Sequence, residues 1–336
     1  MSKIAVLGGG GWAIALAVLL DDNKHDVTIW SALEKEVQAL TNDRENKNSL
    51  PGIIIPDTIK ITGDIDSAVK DADMIVMAVA SSFVRKTSAL LKGKIKDNQV
   101  IVNVAKGIED GTLYTMTDII EEELPGCNAC VLSGPSHAEE VGRKIPTTVV
   151  IGAKDLETAK YIQETVSNNY FRAYVSPDII GIELGGSLKN VIALAAGAAD
   201  GLGFGDNTKA ALITRGIKEI SALGIAMGGH ARTFSGLSGI GDLIVTCASM
   251  HSRNRRAGIL IGQGKSLEEA VEEVHMVVEG AVSAKAALAL AKKYNVELPI
   301  IEQVNEVLFE GKPAKDAVME LMNRQYTSEH VDMLWK

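Results

Sequence analysis

The sequence predicts an α/β fold, a doubly wound and mostly parallel sheet followed by an all-α second domain. Three observations predict it. Short apolar runs alternate with helical patterns from Lys3 to about Val175. The first of these runs passes straight into four glycines and then a helical pattern. After Pro177 the strand-like runs stop and helical periodicity continues to the end. The change of pattern places the domain boundary at 177/178, dividing the chain into residues 1–177 and 178–336.

The opening strand is 3–7, followed by Gly8-Gly9-Gly10-Gly11-Trp12-Ala13 and a helical run over 14–20. Gly8, Gly10 and Ala13 occupy the three small-residue positions of G-x-G-x-x-G/A. The first permits the tight turn, the second lets backbone approach a pyrophosphate, and the third lets helix pack on strand. The helix N-terminus attracts the anion. This is a Rossmann-type dinucleotide site, and the cofactor it implies is NAD(H) or NADP(H). The second strand, 26–30, ends at Trp30-Ser31-Ala32-Leu33, with neither the acid typical of NAD sites nor the arginine typical of NADP sites. The nearest charges are Glu34 and Lys35, and the choice between the two cofactors stays open.

Residues 74–79 and 129–132 are wholly apolar, and 100–104 are apolar but for Asn103, as expected of parallel strands covered on both faces. Ligands in such sheets bind beyond the carboxyl ends of strands. Lys106 and Ser136 fall there, Lys106 alternatively as a solvated loop residue. His137 reads as a loop histidine, since no Asp or Ser constellation accompanies it. Strands at 147–151 and 171–175 complete the sheet. Cys127 and Cys130 form one C-x-x-C pair with no second pair to complete a zinc site, and Cys247 reads as packing.

In the second half, Ser176 reads as a helix N-cap with Pro177 at the first helical position. The helix that follows is apolar almost all round from Leu188 to Ala199, interrupted by Lys189 and Asn190. A lysine there loses hydration and needs compensation. Gly181, Gly185 and Lys189 share one face, which predicts a bare backbone track for a flat ligand with the ammonium at its end. The alternative is a core lysine snorkelling to water. Asp206 is expected to cap the next helix, and Asp242 either caps a helix or belongs to a site. Ser252 reads as the N-cap of a helix whose first turn holds Arg253–Arg256. Cations there oppose the helix dipole unless an anion sits at the helix start, which predicts a phosphate or carboxylate seat. Ser266 and Glu269 form a capping box.

Net charge is −9, which argues against nucleic acid or an anionic membrane as the main partner. No signal peptide pattern opens the sequence and no apolar run approaches a membrane span, so a cytoplasmic location is expected.

The runs at 8–13, 50–52, 105–109, 134–141, 183–216, 236–256 and 277–280 resemble the bacterial NAD(P)-dependent glycerol-3-phosphate dehydrogenases over nearly the whole length. The resemblance implies hydride transfer between dihydroxyacetone phosphate and sn-glycerol 3-phosphate, feeding phospholipid synthesis, in a homodimer. It implies Lys189 as proton donor or acceptor. It assigns Lys106, Gly134, Ser136, Asn190, Asp242, Thr246, Ser252, Arg253 and Asn254 to the substrate. To the cofactor it assigns Gly8, Gly10, Gly11, Trp12, Ala13, Phe83, Lys106, Ala138, Arg253, Val277 and Glu279. Three departures from the family pattern are visible. Gly11 stands where Ser is common, 79–83 lacks the usual proline, and Ser31-Ala32 lacks the arginine often found after the tryptophan. A nicotinamide-binding regulator without catalysis and a 3-hydroxyacid dehydrogenase are the alternatives.

Overall fold

A computed structural model of the chain describes residues 1–275, 277–326, 328 and 329. Eight strands form one sheet: β1 Lys3–Leu7, β2 Asp26–Trp30, β3 Lys60–Thr62, β4 Met74–Met77, β5 Val100–Asn103, β6 Asn128–Ser133, β7 Thr147–Gly152 and β8 Phe171–Ser176. Their spatial order is β3-β2-β1-β4-β5-β6-β7-β8. Every neighbouring pair is parallel except β6 and β7, where Leu132 faces Ile151 antiparallel. The connection between those two strands carries only the short helix Ala138–Gly142, too little for a full crossover helix.

The apolar strands are explained by burial on both faces. Ile4 and Val6 enter one core with Ile14, Leu16 and Val76, while Ala5 and Leu7 enter another with Ile75, Met77 and Ile101. Strand order reverses between β1 and β4, so a crevice opens beyond their carboxyl ends. β3 was not expected. It has three residues with one apolar side chain, at the sheet edge, and so carries no pattern to read.

The second half is built around the helix Ile179–Gly201, buried along most of its length. It is the one helix among the described residues long and apolar enough to cross a membrane, and 83% of that apolar window is buried inside the fold. Helices Asp206–Ala226, Asp242–Ala248, Arg253–Gly262, Glu279–Tyr294 and Pro299–Phe309 pack around it. The contact with Arg253–Gly262 is backbone to backbone. A Cβ on Gly197 or Gly201 would strike the carbonyls of Arg255 or Ile259, and one on Gly258 or Gly262 those of Leu194 or Ala198.

Three expectations for this half are corrected. The long helix is capped by Asp178, whose Oδ1 accepts from the Gly181 N–H at 2.9 Å, because Ser176 is still paired with Gly152 in the sheet. Asp206 lies inside the first turn of its helix, and Gly205 takes the cap position without a side-chain bond. The Gly181–Gly185 face carries no ligand track, for Gly185 is covered by the backbone of Ser238 and Gly239, and the Asp178 side chain lies over Gly181. Ser252 does cap its helix, accepting from the Arg255 N–H at 3.2 Å, and Ser266 and Glu269 form the reciprocal capping box.

Candidate active site

The close approach at Gly185 delivers Asp242. The irregular segment Leu237–Gly241 lies on the bare glycine, and the next residue, Asp242, opens a helix beside Lys189, one turn along from Gly185. Asp242 does not act as a cap. Its Oδ1 accepts from Lys189 Nζ, and its Oδ2 accepts from Lys106 Nζ at 2.6 Å. Lys106 arrives from the turn after β5, which Asn103 holds by bonding both the N–H and the carbonyl of Ala105 at 3.1 and 3.0 Å. Lys106 Nζ also donates to the Gly134 carbonyl at 3.2 Å, and Lys189 Nζ to Thr246 Oγ1 at 2.7 Å. One buried carboxylate thus holds two amines from opposite halves of the chain.

Lys189 is 6% exposed, so the snorkelling alternative is excluded. Burial lowers its pKa, with Lys106 adding to the effect and Asp242 opposing it. Burial alone would raise Asp242, but the two ammoniums outweigh it and hold the carboxyl below the usual range. The arrangement supplies a desolvated amine that gives up its proton more readily than an ordinary lysine.

A cleft opens onto this amine, lined by Gly10, Gly11 and Trp12 at one side and by Ser252, Arg253, Asn254 and Arg256 at another. Lys106, Ser136, Ala138, Asn190, Thr246 and Glu279 complete the expected lining. Gly8, Ala13 and Gly134 stand behind it. The positive φ of Gly8 and its contact with the Ala78 carbonyl make the turn, and Ala13 is core. Phe83 and Val277, 54% and 45% exposed, do not line this cleft. Cys127 and Cys130 are free thiols pushed up by burial to about 11 and 12, and buried Cys247 to about 12. All three are inert packing groups.

Two features fit a dinucleotide and a small anion. Gly10 sits at the start of the helix Gly11–Asp22 with an ordinary φ of −74° and nothing within 4 Å of where a Cβ would lie. The fold does not require glycine there, and its absence of a side chain leaves uncapped N–H groups facing the cleft. At the other side, Arg255 is occupied by Asp200 at 2.7 Å, whereas Arg253 and Arg256 have no ion pair among the described residues. The buried Nε of Arg256 has no hydrogen-bond partner, nor has the buried Nε2 of His137. Orphaned nitrogens in a cleft fit a polar ligand.

His137, read from sequence as a plain loop residue, therefore belongs to the cleft, with its pKa lowered by burial and then by Lys189. Ser49 was also missed as a lining residue, and Arg256 was expected among the first-turn cations but not named as a site residue. Arg256 had a signal, since it follows Arg253 by three residues on one helix face. Ser49 had none, because its place depends on a loop folding back over Gly11.

Comparison with known proteins agrees with this geometry. Residues 3–159 match the model for the N-terminus of NAD-dependent glycerol-3-phosphate dehydrogenase, and residues 178–319 the model for its C-terminus. A glycerol-3-phosphate dehydrogenase (NAD(P)+) of Fusobacterium nucleatum is 64% identical over 96% of this chain and 97% of its own length. One from Agathobacter rectalis is 57% identical over the full length of both. The crystal structure of glycerol-3-phosphate dehydrogenase from Coxiella burnetii superposes with a TM-score of 0.93 at 35% identity, covering 96% of this chain and 99% of that one. The chain belongs to the NAD-dependent glycerol-3-phosphate dehydrogenase family.

Proposed function

We propose that Lys189 is the proton donor and acceptor as this chain interconverts dihydroxyacetone phosphate and sn-glycerol 3-phosphate, the oxidoreductase reaction of its family. The observation that carries this reading is the single carboxylate of Asp242 binding both Lys189 and Lys106 at the floor of a cleft with two unpaired guanidiniums. When bound, the nicotinamide supplies the hydride for the carbonyl carbon. Gly10, Gly11 and Trp12 hold the dinucleotide's pyrophosphate at the bare helix start. Arg253, Asn254 and the N–H groups after Ser252 seat the substrate phosphate. Asn190 and Ser136 orient its hydroxyl groups. Lys189 gives its proton to the carbonyl oxygen as negative charge grows there, and takes it back in the oxidative direction. Asp242 keeps the amine pointed and offsets its desolvation; Lys106 neutralises the second carboxylate oxygen.

The cofactor unit is residues 1–177 and the substrate unit 178–336, joined by the long helix. The enzyme works as a cytoplasmic homodimer on a phosphorylated small molecule and supplies glycerophospholipid synthesis. The division into two units rests on the change of pattern after Pro177, and the dimer, the phosphorylated substrate and the synthetic role on the family resemblance. The test is loss of reduced-nicotinamide absorbance with dihydroxyacetone phosphate, against unphosphorylated dihydroxyacetone and 3-oxoacids. Equal rates with and without the phosphate would sink the assignment of the anion seat. Sedimentation velocity tests the dimer, which a single monomer boundary would overturn.

A further inference from the structure

In a depression separate from the cleft, lined by Leu33, Lys35, Asn46 and Lys47 among others, one carboxylate is pinned against the glycine turn. Glu36 lies in the first turn of the helix Glu34–Asp43 that follows β2. Its Oε2 accepts from Ser31 Oγ at 2.5 Å, and Ser31 Oγ in turn accepts from the Leu33 N–H at 3.1 Å. The carboxylate lies over Gly9, where a Cβ would overlap it, and Asn46 fixes the Gly9 carbonyl with a bond of 3.0 Å. The Oε1 atom has no hydrogen-bond partner among the described residues. Three segments therefore converge to hold one acid beside the glycine turn, at the carboxyl end of β2.

In dinucleotide-binding sheets that corner receives the adenosine ribose, and an acid there accepts from the 2′-hydroxyl. The acid usually ends the second strand itself. Here that position is Trp30, 3% exposed, with its Nε1 spent on the Gly63 carbonyl at 3.0 Å. Glu36 reaches back to the same corner from the next helix, held by Ser31. On the assignment of a nicotinamide dinucleotide to this cleft, we infer that Glu36 selects NAD(H) over NADP(H), by accepting from the 2′-hydroxyl and repelling a 2′-phosphate.

The neighbouring cations do not offset that repulsion. Arg44 is the sole arginine before Arg85, and its guanidinium donates to the carbonyls of Ile55, Pro56 and Ile59. Lys47 pairs with Asp43 at 3.0 Å. Lys35 is exposed and leaves its helix about 100° round from Glu36. No guanidinium is left to form the bidentate pair that a 2′-phosphate site uses.

The experiment is equilibrium titration of the full chain with NADH and with NADPH, read by nicotinamide fluorescence, in the native protein, Glu36→Gln and Ser31→Ala. The native protein should bind NADH roughly tenfold or more tighter than NADPH, the scale of a like-charge contact. Glu36→Gln keeps an oxygen for the 2′-hydroxyl and removes the charge. It should bring the two affinities towards equality, mainly through tighter NADPH binding. Ser31→Ala, which frees the carboxylate to swing away, should narrow the ratio less. NADPH bound by the native protein as tightly as NADH, or a ratio unmoved in Glu36→Gln, overturns the role of Glu36 while leaving the cofactor site intact. Binding of neither dinucleotide overturns the cofactor assignment and this inference with it.

Discussion

Glu183, within the long helix, and Asp242, packed against it, are both buried acids, 5% and 1% exposed, and they settle in opposite directions. Glu183 is reached by neutral donors only. The Thr117 N–H and Asn103 Nδ2 approach Oε1 at 3.0 and 3.3 Å, and Thr117 Oγ1 donates to Oε2. Burial outweighs these bonds and pushes its carboxyl up to about 7. Asp242 is at least as buried, yet Lys106 and Lys189 hold its carboxyl low. The contrast teaches what a charged partner changes when desolvation is shared. Neutral donors position an acid, and Glu183 ties the Asn103 turn to the helix. Cations keep an acid ionised, so that Asp242 can in return hold the Lys189 amine in place.

The contrast breaks most sharply at the amine. Lys189→Met keeps most of the volume and leaves Asp242 paired with Lys106, so folding and NADH binding should survive. Turnover should fall about a hundredfold or more, the scale of a lost general acid. Lys189→Arg should not restore it, because a guanidinium does not release its proton near neutral pH. Near-normal turnover in Lys189→Met with cofactor bound would move the role to Lys106.

Next in size is a cation that Asp242 does not hold. Arg253→Ala should cost about 2–5 kcal/mol in kcat/KM, appearing mainly in KM, as for a charge pair with one member removed. The loss should be much smaller for unphosphorylated dihydroxyacetone. Cofactor affinity is measured alongside, and equal losses for both substrates would mean that Arg253 does not read the phosphate.

Asp242→Asn erases the difference between the two acids directly. It removes the influence that raises the Lys189 pKa, so burial and Lys106 act unopposed. The ammonium then loses its proton at lower pH, and the alkaline limb of the reductive kcat profile should move to lower pH. A limb that stays put would show that the titrating group is not Lys189.

Glu183→Gln gives the smallest effect, on stability rather than turnover. A carboxyl at about 7 when folded and about 4.3 when unfolded makes the native state bind the extra proton between those values. Stability from this group is therefore full below about pH 4 and falls as pH rises through 7, by on the order of 3 kcal/mol. Urea unfolding at pH 5 and pH 8 should show a shallower fall in Glu183→Gln. Part of the slope should remain, since Glu219 is also pushed up to about 7, where it accepts from the Ile300 and Ile301 N–H groups.

The strands were legible because burial on both faces leaves an unbroken apolar run, as in Met74–Met77. The glycine turn was legible because it joins such a strand to a helix. The convergence of Lys106, Lys189 and Asp242 was not readable from spacing, since 136 residues separate the ends of that cluster. Only the family resemblance joined them. The Gly181–Gly185 face misled because a bare backbone looks the same in sequence whether ligand or polypeptide covers it. Glu36 escaped notice for a related reason. Its use depends on how the helix after β2 is turned, and Glu34 and Lys35 are nearer to the strand in sequence.

The glycines between the helices Ile179–Gly201 and Arg253–Gly262 have one more consequence. With Gly197 and Gly201 on one side and Gly258 and Gly262 on the other, no side-chain layer separates the two rods, so nothing between them can compress or repack. Lys189 projects from one rod and Arg253 opens the other. The pair works as a fixed gauge, in which the span from the proposed proton donor to the proposed anion seat is set by backbone contact. A ketol phosphate one methylene longer should still occupy the seat and inhibit, yet turn over poorly. Its carbonyl then falls off the mark by more than the helices can give, and molecular length is read mechanically, ahead of any chemistry.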